Sequence, residues 1–149
     1  TGHLGSNLER IVRMSRKPVL VAARAFRPIR KVLVAYDGGI SARKAVDHIA
    51  RSPVYHGLEV QIATVDRATP EVAHGLEMAA SVLRAAGIAC DTTVLPGEPE
   101  TALARLVEQA GFDLLVMGAY GHSRIRSLII GSTTTAMIRA CKVPVVLMR

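Results

Sequence analysis

The residues with the clearest chemical potential lie within residues 116–149, VMGAYGHSRIRSLIIGSTTTAMIRACKVPVVLMR. An apolar run, Leu114-Leu115-Val116-Met117, delivers the backbone to Gly118. Gly121 follows after two residues, and Gly131-Ser132 after nine more. Glycines let backbone amides approach an anion closely, and a helix start presents unpaired N–H groups at the positive end of a dipole. A strand, a glycine loop and a helix start in that order form a phosphate cradle. Ser132 stands where an N-cap belongs. It and Thr133 would donate hydroxyl or backbone N–H groups to phosphate oxygens, with simple helix capping as the rival role. Arg124 or Arg126, in the loop between the glycines, would neutralise phosphate charge, although a solvated loop arginine is the commoner case. His122, beside Ser123, has no partner acid nearby in sequence. A second chemical group stands at Asp37-Gly38-Gly39. There the carboxylate either contacts a ligand or caps the following helix as a structural strand-end acid.

Elements that could position these groups alternate from Lys31 onward. Residues 31–36 read as a strand, and residues 41–51 carry Ala42, Ala45, Val46, Ile49 and Ala50 at helical spacing. Strands are expected at 58–65 and 89–95, on either side of a helix over 71–86 that Gly87 stops. Pro99 suits the first turn of a helix reaching Ala110, with Gly111 at its C-terminal stop. A strand over 112–117, a helix over 132–140 and a strand over 143–148 complete the series. This βαβαβαβαβ order predicts an α/β fold: a parallel sheet with right-handed crossovers and helices on both faces.

Composition fits that reading. Of 149 residues, 50% are hydrophobic but only 3% aromatic, so Ala, Val, Ile and Leu must fill the interior, as in a buried parallel sheet. No apolar run approaches the ~20 residues that cross a bilayer, and no signal peptide is visible. Cys90 and Cys141 show no CxxC spacing and read as two reduced thiols of a cytoplasmic protein. The net charge of +7 is unevenly spread. Residues 1–31 hold eight basic side chains against Glu9 alone, whereas the rest of the chain carries eleven basic and eleven acidic residues. The main domain is neutral and lacks a basic stripe with interleaved aromatics, which argues against a nucleic-acid module.

The N-terminal segment repeats the C-terminal one. GSNLERIVRMSRKPVLVAAR from Gly5 aligns without a gap on GSTTTAMIRACKVPVVLMR from Gly131. Gly5/Gly131, Ser6/Ser132, Arg13/Arg139, Pro18/Pro144 and Val19/Val145 match, and Ser6 with Glu9 forms a capping-box pattern. Residues 1–24 therefore read as the last helix and strand of a preceding copy, residues 25–30 as a linker and residues 31–149 as a complete domain.

Gly118, Gly121, Gly131 and Ser132 form the pattern G-x2-G-x9-G-[S/T], which resembles the nucleotide-binding motif of the universal stress protein family. The segments VLVAYDGGISA from Val32, DLLVMGAYGHSR from Asp113 and KVPVVLMR from Lys142 are also similar to that family's. The resemblance implies a five-stranded parallel open sheet of order 3-2-1-4-5. It also implies ATP as cofactor, with or without Mg²⁺, and Asp37 beside adenosine. Thr64 or Val65 would form the adenine wall, and Val65 is taken as the candidate. Further implications are a stress-response regulator or sensor role and pairing of fifth strands, either in a homodimer or between tandem domains. The N-terminal strand, 18–23, is expected to run antiparallel to 143–148. With no Walker lysine loop and no paired carboxylates for Mg²⁺, at most slow ATP hydrolysis is expected. An ATP-using enzyme and a non-binding dimerisation scaffold are the alternatives.

Overall fold

The computed structural model describes residues 10–11, 14–22, 27–119 and 141–148. Its strands are β1 (Val19–Val21), β2 (Lys31–Ala35), β3 (Glu59–Val65), β4 (Cys90–Leu95), β5 (Leu114–Gly118) and β6 (Val145–Met148). Among the described residues three α-helices intervene, α1 (Ile40–Arg51), α2 (Pro70–Ala85) and α3 (Pro99–Ala110), with a short 3₁₀ helix at Pro53–Tyr55. All six strands form one sheet in the order β1-β6-β5-β2-β3-β4. The five strands from β2 onward are mutually parallel. Counted from β2, they stand in the order 3-2-1-4-5. β1 lies outside the fifth of them and pairs antiparallel with β6, Val19 opposite Leu147 and Val21 opposite Val145.

The near-continuous apolar strands are explained by burial on both faces. Val32, Val34, Val60, Ile62, Leu114, Val116 and Val146 point to one face, where they pack with Ala45, Val46 and Ile49 of α1 and with Leu76, Ala80 and Leu83 of α2. Leu33, Ala63, Leu115, Met117, Val145 and Leu147 point to the other, with Leu103 and Val107 of α3. Val19 and Val21 of β1 join the second cluster, while Leu20 between them is 60% exposed. The helix ends follow local chemistry. The Thr69 hydroxyl accepts the Val72 N–H to cap α2, with Pro70 in the first turn. Gly111 ends α3 in the left-handed region at φ 70°, where a side chain would be strained.

The strand expected at 112 begins only at Leu114, because Phe112 and Asp113 are engaged by the segment that enters β2. One Asp113 carboxylate oxygen accepts the backbone N–H groups of Arg30 and Lys31, both at 3.0 Å, and the other lies 3.0 Å from Arg27 Nε. Arg27 Nη2 donates to the Phe112 carbonyl at 2.6 Å, and Lys31 Nζ donates to the Ala110 carbonyl at 2.5 Å. Burial alone would raise the Asp113 pKa, but the two amides and the Arg27 and Lys31 charges outweigh it and hold it below the usual carboxylate range. Its folded pKa is thus depressed, so its stabilising contribution is complete above the unfolded value near ~4 and fades as pH falls through the folded value. Asp113→Asn is expected to cost about 1.5–3 kcal/mol at pH 7, the scale of hydrogen bonds to a charged group. In urea unfolding the deficit should shrink below about pH 4; a deficit independent of pH would contradict this role.

Candidate functional site

From β2 the chain winds outward through β3 to β4, whereas β5 and β6 lie on the other side of β2. The direction of winding changes between β2 and β5. Open α/β sheets bind ligands beyond the strand C-termini at such a switch. Ala35 is in register with Met117, so Tyr36-Asp37 and Gly118-Ala119 leave the sheet side by side. Both chemical groups singled out in the sequence, the Asp37 turn and the first glycine of the loop, therefore emerge together at this switch point.

The turn after β2 is built by its own residues. Gly38 takes φ 78°, a conformation that favours glycine, and Asp37 Oδ1 accepts the Gly39 N–H at 2.8 Å. Gly39 is the N-cap of α1 and supplies no side-chain cap, so the carboxylate shapes the entry to the helix. The strand end is fixed from the β3 side. Tyr36 N–H donates to the Ala63 carbonyl at 2.8 Å, and the Thr64 hydroxyl donates to the Tyr36 carbonyl at 2.8 Å. Burial raises the Tyr36 pKa, with Arg43 opposing and Asp37 and Asp47 adding to the rise, so its hydroxyl is neutral at pH 7. Thr64 and Val65, which register alone left open, have different surroundings. Thr64 is buried with its hydroxyl committed to Tyr36, while half-buried Val65 lines an open groove with Asp66, Arg67, Ala68, Val94, Pro96 and Gly97.

Gly118 has a steric role that sequence reasoning missed. A Cβ at this position would lie 2.6 Å from Ser41 Cβ and 3.2 Å from the Ala42 backbone nitrogen. The first turn of α1 therefore rests directly on the end of β5, and only a hydrogen in place of a side chain permits that approach. The missed signal was the pairing of two motifs, GG-x-S-A after β2 and M-G after β5, which bring small residues to the same contact. Gly121, Arg124, Gly131, Ser132 and Thr133, with His122, Ser123 and Arg126, lie outside the described residues.

Other reactive groups are quiet. Cys90 and Cys141 are free thiols, and burial pushes the Cys90 pKa up to about 11, so it is not a thiolate at neutral pH. Among the described residues, no cluster of His, Cys, Asp or Glu could hold a metal ion, and no helix is long and apolar enough to cross a membrane.

Comparison with known proteins gives this geometry a context. Residues 52–149 match the model of the universal stress protein family. Universal stress protein Slr1230 of Synechocystis sp. is 43% identical over 150 residues, which cover 99% of this chain and 52% of that protein. The chain spans about half the length of the first curated relatives that it matches. A universal stress protein solved in complex with cAMP superposes with a TM-score of 0.69 at 27% identity, over 83% of this chain and 98% of that one. A universal stress protein from Archaeoglobus fulgidus gives a TM-score of 0.71 at 26% identity, over 93% of this chain and 52% of that one. An open sheet with its Asp37 turn and Gly118 at one switch point, a matching family model and relatives of the same description lead to one conclusion: the chain belongs to the universal stress protein family.

Proposed function

We propose that this chain binds an adenine nucleotide, ATP with or without Mg²⁺, in the crevice between the C-terminal ends of β2 and β5. The observation that carries the reading is the convergence there of the Asp37 turn and Gly118, on adjacent strands held in register from Val32–Leu114 to Ala35–Met117. The cAMP complex of a 27% identical protein supports the choice of an adenine nucleotide. In this reading Asp37 and Val65 flank the nucleoside. Gly118, Gly121 and Gly131 bring amides to ribose and phosphates, Ser132 and Thr133 donate to phosphate oxygens, and Arg124 offsets their charge. Binding biases a conformation or an assembly, so that the protein acts as a cytoplasmic stress-response regulator or sensor with at most slow hydrolysis.

Assembly belongs to the same proposal. Residues 1–24 are the end of a preceding repeat, residues 25–30 the linker and residues 31–149 the nucleotide-binding domain. The sheet edge at β6 is the pairing surface, for β1 within a chain or for a second copy in a homodimer. An open edge of unpaired backbone groups is a liability that such pairing removes. Gly121→Val and Gly131→Val test the glycine loop by calorimetric ATP titration. Each is expected to weaken binding by at least ~10-fold, about 1.4 kcal/mol, with thermal stability kept. Wild-type affinity in both variants would overturn the loop's assignment.

A further inference from the structure

Only two polar side chains are buried among the described residues, Ser41 at 7% exposure and Thr64 at 8%. Both lie at the C-terminal end of the sheet, beside the switch point. Thr64 spends its hydroxyl on the Tyr36 carbonyl. The Ser41 hydroxyl has no hydrogen-bond partner among the described residues. Buried hydroxyls are ordinarily satisfied, and one that is not calls for a strain, functional or ligand explanation. Ser41 stands in the first turn of the twelve-residue helix α1, whose N-cap Gly39 supplies no side-chain cap, and its Cβ faces Gly118 at the end of β5. The hydroxyl is thus enclosed in the seam between a helix N-terminus, which favours anions, and the first glycine of the loop.

We propose that Ser41 is a positioning residue for the nucleotide, its hydroxyl donating to an oxygen of the ribose–phosphate portion when ligand fills the crevice. This assignment rests on the nucleotide-binding reading above. The site is assembled so that one donor stays unsatisfied until ligand arrives. The unmet hydroxyl then adds to affinity and costs the ligand-free fold, because an unmade buried hydrogen bond is a penalty that ligand removes. Gly118 belongs to the same device, since a side chain there would displace Ser41 from the seam. Thr64, equally buried but already bonded, is its natural control.

The test uses Ser41→Ala and Thr64→Val in the full chain, with ATP affinity by calorimetry and the ligand-free Tm as paired readouts. Ser41→Ala is expected to weaken ATP binding about 5- to 10-fold, the scale of one hydrogen bond, while its ligand-free Tm is unchanged or raised. Thr64→Val is expected to lower the ligand-free Tm, because it leaves the Tyr36 carbonyl without its donor. Ser41→Ala affinity within twofold of wild type, or a lowered ligand-free Tm in that variant, overturns the Ser41 assignment. No ATP binding by the unaltered protein overturns the nucleotide-binding reading itself, and is recognised before any variant is made.

Discussion

Gly118→Ala is expected to destabilise the fold by about 2–3 kcal/mol, the upper part of the range for forcing atoms into a packed site. The added Cβ would meet Ser41 Cβ at 2.6 Å, Ala42 N at 3.2 Å and the Ser41 carbonyl carbon at 3.3 Å. None of these is the end of a flexible side chain. The start of α1 would have to lift from β5, and with it the buried Ser41-Ala42-Ala45 face of that helix. For a domain of this size the loss corresponds to a fall in Tm of roughly 5–10 °C. Thermal or urea unfolding checks it, and a cost below about 0.5 kcal/mol, ordinary for a surface change, would contradict the steric account. One consequence concerns ligand experiments. A Gly118 variant that fails to bind nucleotide has also lost helix placement, so Gly121 and Gly131 are the cleaner probes of the loop.

Phe112→Ala is expected to be costlier still, about 3–5 kcal/mol, as for other buried Phe truncations. Phe112 is 1% exposed and belongs to the cluster that joins α3 to β5 and β6. It also organises the opposite end of the sheet from the crevice. Its N–H donates to the Val107 carbonyl, its carbonyl accepts from Arg27, and Lys31 Nζ sits 4.8 Å from its ring centroid. A cation over an aromatic face adds about 0.5–1 kcal/mol at a partly exposed site. Removing the ring therefore opens a cavity and loosens the Lys31 contact together. Such a loss is a large share of the 5–15 kcal/mol that holds a typical domain. The urea midpoint measures it, and a cost under about 1 kcal/mol would mean that Phe112 does not anchor this layer.

Much of the architecture was legible because buried parallel strands announce themselves. Val32-Leu33-Val34 and Leu114-Leu115-Val116-Met117 are apolar at every position, and only a strand covered on both faces needs that. Gly111 and Pro99 marked the ends of α3 for local reasons, a left-handed cap and a fixed φ. The outermost strand was visible only through the repeat of the C-terminal segment, since VLV alone is too short a pattern to assign. β6 starts at Val145 rather than at 143, because Pro144 lacks an N–H and contributes its carbonyl, which accepts from Leu115.

Contacts between distant segments left no local trace. Asp113 binds amides 82 and 83 residues earlier in the chain, so neither partner carries a pattern that predicts the other. Thr64 read as one of two candidates for a ligand wall, yet its hydroxyl serves the neighbouring strand. Gly118 read as an amide donor, whereas its missing side chain is also what lets α1 approach. Asp37 read as either a ligand contact or a structural acid. Its bond to Gly39 N–H establishes the structural part, and the ligand contact belongs to the proposed function.

In the proposed function, the switch point between β2 and β5 takes an adenine nucleotide. Isothermal calorimetry of the unaltered chain against ATP, with and without Mg²⁺, tests it most directly. Saturable one-to-one binding in the micromolar range, about −8 kcal/mol, is the predicted result, with one site because the chain carries one complete glycine loop. No heat of binding at millimolar ATP, together with no rise in Tm, would contradict it.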